Sequence, residues 1–371
     1  MKRALVVATV ENFLTFEISD IHLLQELGYE VHIATNRKEA AYSVSVEDVY
    51  IHDICFQREP FTIENIKAYK GLCALVKEVP FDIIHCHTPV GGVMGRAVGH
   101  KYKIPTIYTA HGFHFYNGAP IRNWLLYYPV EKWLSWWTDI LITINKEDFK
   151  RAKKFHAKKV AYIPGVGVDI EKIAGIQVKK EEKRKEIGIP DNAIVLLSVG
   201  ELNTNKNHIA GIMAVAQLRN KKLHYVICGQ GELKEKLLQK SKMFGIEEQI
   251  HFLGYRRDIY EIYKMADIYL HPSYREGLPV ALMEAMASEL PCIVSDIRGN
   301  RDLIYGVFKG NKRYGLFCPN SIQELKDNIQ IFCNDIKLQE KCKACNLEKI
   351  IQYDKKRRDK RMRNVYQEEL F

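Results

Sequence analysis

His271 to Ser288 reads HPSYREGLPVALMEAMAS. The apolar run Ile268 to His271 leads into it, and from Val280 onward apolar residues dominate at helical length, so the segment is a strand end, a turn and a helix. Pro279 suits the first helical turn, where its missing N–H costs nothing. The residues before it, Glu276, Gly277 and Leu278, then present backbone N–H groups at a helix N-terminus, where an anion such as a diphosphate is favoured. Glu276 stands before the helix and Glu284 lies about one and a half turns inside it. Two carboxylates so placed accept hydrogen bonds from separate hydroxyl groups of one extended ligand.

The same alternation runs outward in both directions. Toward the C-terminus Cys292 to Ser295 follows, and toward the N-terminus lie Ile250 to Leu253, His224 to Gly229 and Ile194 to Gly200, with helical stretches between. An earlier series comprises Ala4 to Ala8, Val31 to Thr35, Ile83 to His87, Thr106 to Ala110 and Ile140 to Asn145, with helices near Glu17 to Leu27, Thr62 to Glu78 and Gly91 to Tyr102. Parallel strands need crossover helices that cover both faces, so the fold class is α/β with two Rossmann-like doubly wound sheets. Between the series lie the turn PGVGVD, Pro164 to Asp169, and the Lys- and Glu-rich Gly175 to Pro190. The expected domains are 1–170 and 171–371, with a C-terminal helical tail free to pack back on the first. Ligands of such sheets bind beyond the carboxyl ends of the strands.

The chain has 371 residues, room for two domains at roughly 150 residues each. Its 47% hydrophobic and 27% charged composition excludes a disordered chain and allows a large core. Nine scattered cysteines, an odd number, point to a reducing compartment and a cytoplasmic location. The opening MKRALVVATVENF pairs positive charge with an apolar run, but the run stops at Glu11 without a cleavage site, which makes it a strand rather than a signal peptide. No stretch reaches the roughly 18 apolar residues of a membrane span. The net charge of +10 is concentrated between Lys349 and Arg363, where eight Lys or Arg face two Asp. This segment is either a solvated helix face or a surface for anionic lipid headgroups. No aromatic interleaving, finger or RNP signature accompanies it, so no nucleic acid is expected as a partner.

Glu276-GLPVALM-Glu284, with Pro272 and Ser273 ahead of it and small residues after it, resembles the E-x7-E signature of the retaining GT-B glycosyltransferases of family 4. The resemblance covers nearly the whole chain and implies two sheets facing across a cleft. It also implies that Glu276 meets the transferred sugar, that Glu284 holds the nucleotide ribose, and that the amides beside Gly277 and Leu278 meet the diphosphate, with Pro279 next to them on the donor side. SVGELNTNKNH, Ser198 to His208, is similar to the family's G-R-L-x-x-x-K segment, which grips that diphosphate; Lys206 takes the Lys position, but Glu201 stands where Arg is usual. Arg256 or Arg257 is a candidate to compensate. GYRRDIYEIYKMADIYLHPS, Gly254 to Ser273, resembles the base-reading segment, which makes Tyr255, Arg256 and Ser273 donor-side candidates. In YTAHGFHFYNGAP, His111 matches a strand-end histidine near the transferred sugar, and His114 is a second choice. HCHTPVGGVMGR offers His87 and Arg96 on the acceptor side. One departure stands out: ATVENFLTFE, Ala8 to Glu17, lacks the glycines found after the first strand of many relatives. The resemblance is closer to exopolysaccharide and capsule enzymes.

All four tryptophans, Trp124, Trp133, Trp136 and Trp137, fall in NWLLYYPVEKWLSWW. They form either a packed helix or an interfacial surface, and the latter, with the basic tail, suggests peripheral membrane contact and a polyprenyl-diphosphate-linked glycan acceptor. Cys342 and Cys345 have no second pair to complete a zinc site, and no D-x-D, G-x-S-x-G or Walker loop occurs. No cofactor and no metal are therefore expected. The resemblance implies metal-independent, retaining transfer of a hexose or N-acetylhexosamine from a nucleotide sugar, UDP-linked by preference, to a glycan. A nucleotide-sugar 2-epimerase and a nucleotide-sugar sensor are the alternatives.

Overall fold

The computed structural model describes residues 1–40 and 43–368. It divides the chain into two units, one of Met1–Val166 together with the segment from Lys356 onward, the other of Gly167–Lys355. In sequence, the second unit is thus an insertion within the first. The boundary falls a few residues before 170, and the segment from Lys356 onward groups with the first unit.

The first unit holds seven parallel strands, β1 (Lys2–Val10), β2 (Tyr29–Asn36), β3 (Val49–Asp53), β4 (Ile83–His87), β5 (Thr106–Ala110), β6 (Ile140–Thr143) and β7 (Lys159–Tyr162). Their order, β3-β2-β1-β4-β5-β6-β7, reverses direction between β1 and β4. Successive side chains point to opposite faces. Leu5, Val7, Ile84 and Cys86 pack into one apolar layer, and Ala4, Val6, Ala8 and Ile83 into the other. Each fully buried Val, Leu or Ile contributes about 1.5–3 kcal/mol. The helix Pro89–Tyr102 lies close on the sheet because its glycines permit it: a Cβ on Gly92 would come within 2.4 Å of Tyr108, and one on Gly99 within 1.9 Å of Thr106 Oγ1.

The C-terminal helix Lys355–Glu368 packs on the opposite layer through Arg358, Met362, Val365 and Tyr366. Arg358 makes two hydrogen bonds to the Asp20 carboxylate, and burial that would raise the Asp20 pKa is outweighed by this guanidinium, which holds it below the ordinary value. Lys355, Lys356, Arg357, Lys360 and Arg361 point outward.

The second unit repeats the design with β8 (Ile194–Val199), β9 (Leu223–Cys228), β10 (Ile250–Gly254), β11 (Ile268–His271) and β12 (Cys292–Ser295). An antiparallel hairpin, β13 (Val307–Lys309) and β14 (Lys312–Tyr314), precedes β15 (Leu316–Phe317). The order β10-β9-β8-β11-β12-β15 reverses between β8 and β11. The ten strands expected from sequence are present, and no end shifts by more than two residues. The five others, β3, β7, β13, β14 and β15, are short, and several are half-exposed, so polar residues interrupt their apolar pattern. Among the described residues, no helix is long and apolar enough to cross a membrane.

Candidate functional site

In an open parallel sheet the crevice for a ligand lies beyond the strand ends at the point where strand order reverses. The second unit places there the loops after β8 and β11. They are tied together by hydrogen bonds: Tyr274 N donates to Asn205 O (2.8 Å), Asn205 Nδ2 to Arg275 O (2.9 Å) and Asn207 Nδ2 to Pro272 O (3.1 Å). The result brings Lys206 Nζ within 2.7 Å of Glu276 Oε1. His271 Nε2 lies 3.2 Å from the same oxygen. Burial opposes the charge on Glu276, yet Lys206 and His271 outweigh it and hold this carboxyl well below the usual range. Burial likewise lowers the pKa of His271, which stays neutral beside the ion pair.

The helix begins at Val280, with Pro279 as its N-cap rather than within the first turn. Among the described residues, the amides of Gly277, Leu278, Val280 and Ala281 have no hydrogen-bond acceptor, so four donors gather at the positive end of a helix. Glu284 accepts from Tyr263 (3.1 Å), and burial pushes its carboxyl up to about 7, the tyrosine hydroxyls pulling the other way.

The remaining donor-side candidates are less central. Ser273 is fully buried as a brace, its hydroxyl 3.3 Å from His271 Nε2 and its carbonyl accepting from Ser295 Oγ (2.5 Å). Tyr255 is exposed. Arg256 is engaged by Asp258 (2.6 and 2.8 Å) and Glu186 (2.9 Å), and Arg257 points into solvent, so neither joins Lys206. A different cation does reach the turn: Arg298 Nε donates to Glu276 O at 3.3 Å. It opens a short helix, Arg298–Leu303, whose Gly299 lies so close to Gly277 that a Cβ would meet its carbonyl at 2.4 Å. Sequence reading did not single out Arg298. The signal was its position directly after the next strand end.

In the first unit the corresponding crevice lies beyond β1, β4 and β5. His87 ends β4, and His111 follows β5. Thr88, held at φ 63°, turns the chain sharply after His87, a strained geometry for a β-branched residue. His87 Nδ1 and His111 Nε2 are 3.2 Å apart. Both meet a residue that was not foreseen, Glu17, at 3.4 and 3.2 Å. The segment without glycine after β1 forms a short 3-10 helix, Glu11–Phe16, that delivers Glu17 into the interior and sets the Phe13 ring edge-on to His111 at 4.8 Å. Burial raises the Glu17 pKa and keeps His87 well below its ordinary value. Behind them His85 bridges Tyr366 (2.7 Å) and Thr109 (2.8 Å).

Arg96 and His114 stand apart from this cluster. Arg96 is fully buried, bridges to Glu131 (2.8 Å) and lies 3.9 Å over the Tyr108 ring, which corrects its expected place on an acceptor surface to one in the core. A guanidinium so enclosed has no route to a ligand. His114 packs against Tyr127, 4.7 Å between ring centres.

Residues 3–145 match the family model described as Glycosyl transferase 4-like, and residues 179–347 match Glycosyl transferases group 1. Over 312 residues the chain is 37% identical to the putative glycosyltransferase EpsD of Bacillus subtilis, a stretch covering 82% of this chain and 81% of that protein. The chain belongs to the family 4 GT-B glycosyltransferases. A second family member, the UDP-Gal:alpha-D-GlcNAc-diphosphoundecaprenol alpha-1,3-galactosyltransferase of Escherichia coli, is 32% identical over 275 residues, 72% of this chain and 70% of that one. The GT-B fold is seen in the crystal structure of Anabaena Alr3699/HepE in complex with UDP and glucose, with a TM-score of 0.78 at 16% identity over 99% of both chains.

Proposed function

We propose that this glycosyltransferase moves a hexose or N-acetylhexosamine from a UDP-linked donor to a hydroxyl of a lipid-linked glycan, with retention of anomeric configuration and without a metal, in surface polysaccharide synthesis. The observation that carries this reading is the Lys206–Glu276 pair beside four free amides at a helix N-terminus. The diphosphate rests on the amides of Gly277 and Leu278, where the helix dipole and Lys206 stabilise the charge that develops as the sugar leaves. Arg298 adds the basic group that Glu201 does not supply. Ionised Glu276 accepts hydrogen bonds from the sugar, and Glu284 accepts them from the ribose. The bond from the anomeric carbon to the phosphate oxygen breaks, the acceptor oxygen bonds to that carbon on the same face, and its proton passes to the departing diphosphate. The family resemblance gives His111 a place near the transferred sugar. The printed substrates of the Escherichia coli relative, UDP-Gal and a diphosphoundecaprenol-linked sugar, support the donor and acceptor classes. The family matches favour transfer over isomerisation or sensing.

A bilayer contact belongs to this proposal, at the cytoplasmic face of the cell membrane. Along the helix Ile121–Leu134 and the turn after it, Ile121, Leu125, Trp133 and Trp136 form a stripe exposed by 78, 73, 56 and 65%. Such a stripe suits the headgroup boundary. The basic tail packs on the other face of the sheet, so the two features do not form one surface, and the Trp-rich helix alone carries the contact.

The full-length protein is incubated with UDP-, GDP- and ADP-sugars in EDTA, with and without membrane extract containing lipid-linked glycans, while nucleotide diphosphate release is measured. Release from one UDP-sugar, stimulated by extract, is expected, with a retained anomer in the product by NMR. Silence with every donor overturns the reading.

A further inference from the structure

We propose that Glu17, His87 and His111 form a binding site for a first-row transition metal ion, Zn2+ above all, at the carboxyl ends of β1, β4 and β5. One ligand atom from each of the three residues lies within 4.8 Å of the others. His87 Nδ1 and His111 Nε2 are 3.2 Å apart, and the Glu17 carboxylate closes the triangle with both oxygens, Oε2 at 3.4 Å from the first nitrogen and Oε1 at 3.2 Å from the second. Zinc holds nitrogen and oxygen ligands at about 2.0–2.2 Å, which places tetrahedral ligands about 3.3–3.5 Å apart. The separations are long for charge-assisted hydrogen bonds, which run at about 2.7–2.9 Å. Glu17 Oε1 is buried without a well-formed hydrogen bond, although His111 Nε2 is 3.2 Å away.

Protons fill such a triangle poorly. If both imidazoles turn an N–H inward, the two N–H groups oppose each other; if only one does, the bare nitrogen of the other faces a carboxylate lone pair. A divalent cation satisfies both nitrogens and the carboxylate together. The competing arrangement places two protons in the triangle, one on Glu17 and one on His111. Two histidines and one carboxylate form a borderline nitrogen and oxygen set that suits zinc and its neighbours rather than Mg2+ or Ca2+. Three protein ligands leave a fourth position for water. The ion is not the agent that handles the donor diphosphate, which lies with Lys206 and the helix of the second unit. Because it occupies His111 Nε2, the ion inhibits transfer, a consequence that rests on the role of His111 proposed above.

The test uses full-length protein stripped with a chelator and titrated with Co2+ and then Zn2+ without nucleotide sugar. Wild type is expected to take up one ion more than Glu17→Gln and one more than His111→Gln, with a visible d–d spectrum of low-symmetry Co2+ that Zn2+ bleaches. The nine cysteines are common to all three proteins, so ions held by thiols cancel in the difference. Matching circular dichroism and melting curves establish that the variants fold, and His111→Ala serves if Glu17→Gln does not. Equal uptake and identical spectra in wild type and a folded variant overturn the site and leave the two-proton arrangement. Binding of Zn2+ with undiminished sugar transfer supports the site and overturns the role given to His111.

Discussion

The two strand-order reversals have the same topology and opposite electrostatics. At β8 and β11 the charges are committed: Lys206 and Glu276 form an ion pair, and four amides wait for an anion. At β1, β4 and β5 two histidines meet a carboxyl, and burial pushes Glu17 and His87 toward their neutral forms. The comparison teaches that the fold supplies a crevice and the loops decide its charge. On the reading proposed above, the first crevice holds a charged leaving group, while the second gathers groups whose charge burial suppresses.

The largest effect should come from the committed half. Glu276→Gln or Lys206→Ala is expected to lower kcat by about 100- to 1000-fold, the scale of losing one preorganised electrostatic contact at a transition state. Steady-state rates with saturating donor check it, and a loss below tenfold would erase the contrast between the halves. Next is Glu131→Gln, which leaves the Arg96 guanidinium buried without its carboxylate. It should cost about 3–5 kcal/mol in denaturant unfolding while kcat of the folded enzyme holds, and a selective loss of kcat would return Arg96 to the site. Glu17→Gln should lower kcat about tenfold with donor KM little changed, because it disturbs the setting of His111 and not donor binding.

The smallest effect is a pH dependence. Glu284 is held up to about 7, and its ionised form is the better acceptor for ribose hydroxyls. Donor KM should therefore fall a few-fold as pH rises through about 7, and the fall should move to higher pH in Tyr263→Phe, which removes a hydroxyl that favours the carboxylate. The stability sign is opposite. The folded carboxyl keeps its proton where the unfolded one has lost it, so Glu284 makes the apoprotein less stable as pH rises from about 4.5 to about 7 and constant above. Isothermal donor titrations and melting curves over that range separate the two.

The strand, turn and helix of His271 to Ser288 were legible because their residues are adjacent in sequence, whereas Lys206, 70 positions before Glu276, was reached only through the likeness of its loop to a family segment. Glu17 was hidden because no motif marks the segment after β1, and only the sheet order brings it to partners 70 and 94 positions further along. Arg96 was misplaced for a related reason. A helix carries residues on all sides, and only Glu131 on a distant helix reveals that its side faces the core. Arg298 was missed because its contact is to a backbone oxygen, for which sequence has no pattern. The tail's helical character was plain, but its inner face needed the positions of Asp20 and His85.

Arg358 and Asp20 are separated by 338 positions, with the whole second unit between them. At about 5–20 residues per second, a ribosome needs about 17 to 70 seconds to supply that arginine after Asp20 has been made. During that interval the first unit carries a buried-site carboxylate without its counter-charge, and the ring of His85 without the hydroxyl of Tyr366. The unit whose strands emerge first is therefore completed late in synthesis, and a nascent chain stalled inside the insertion should be far more open to protease in its first 166 residues than the released protein.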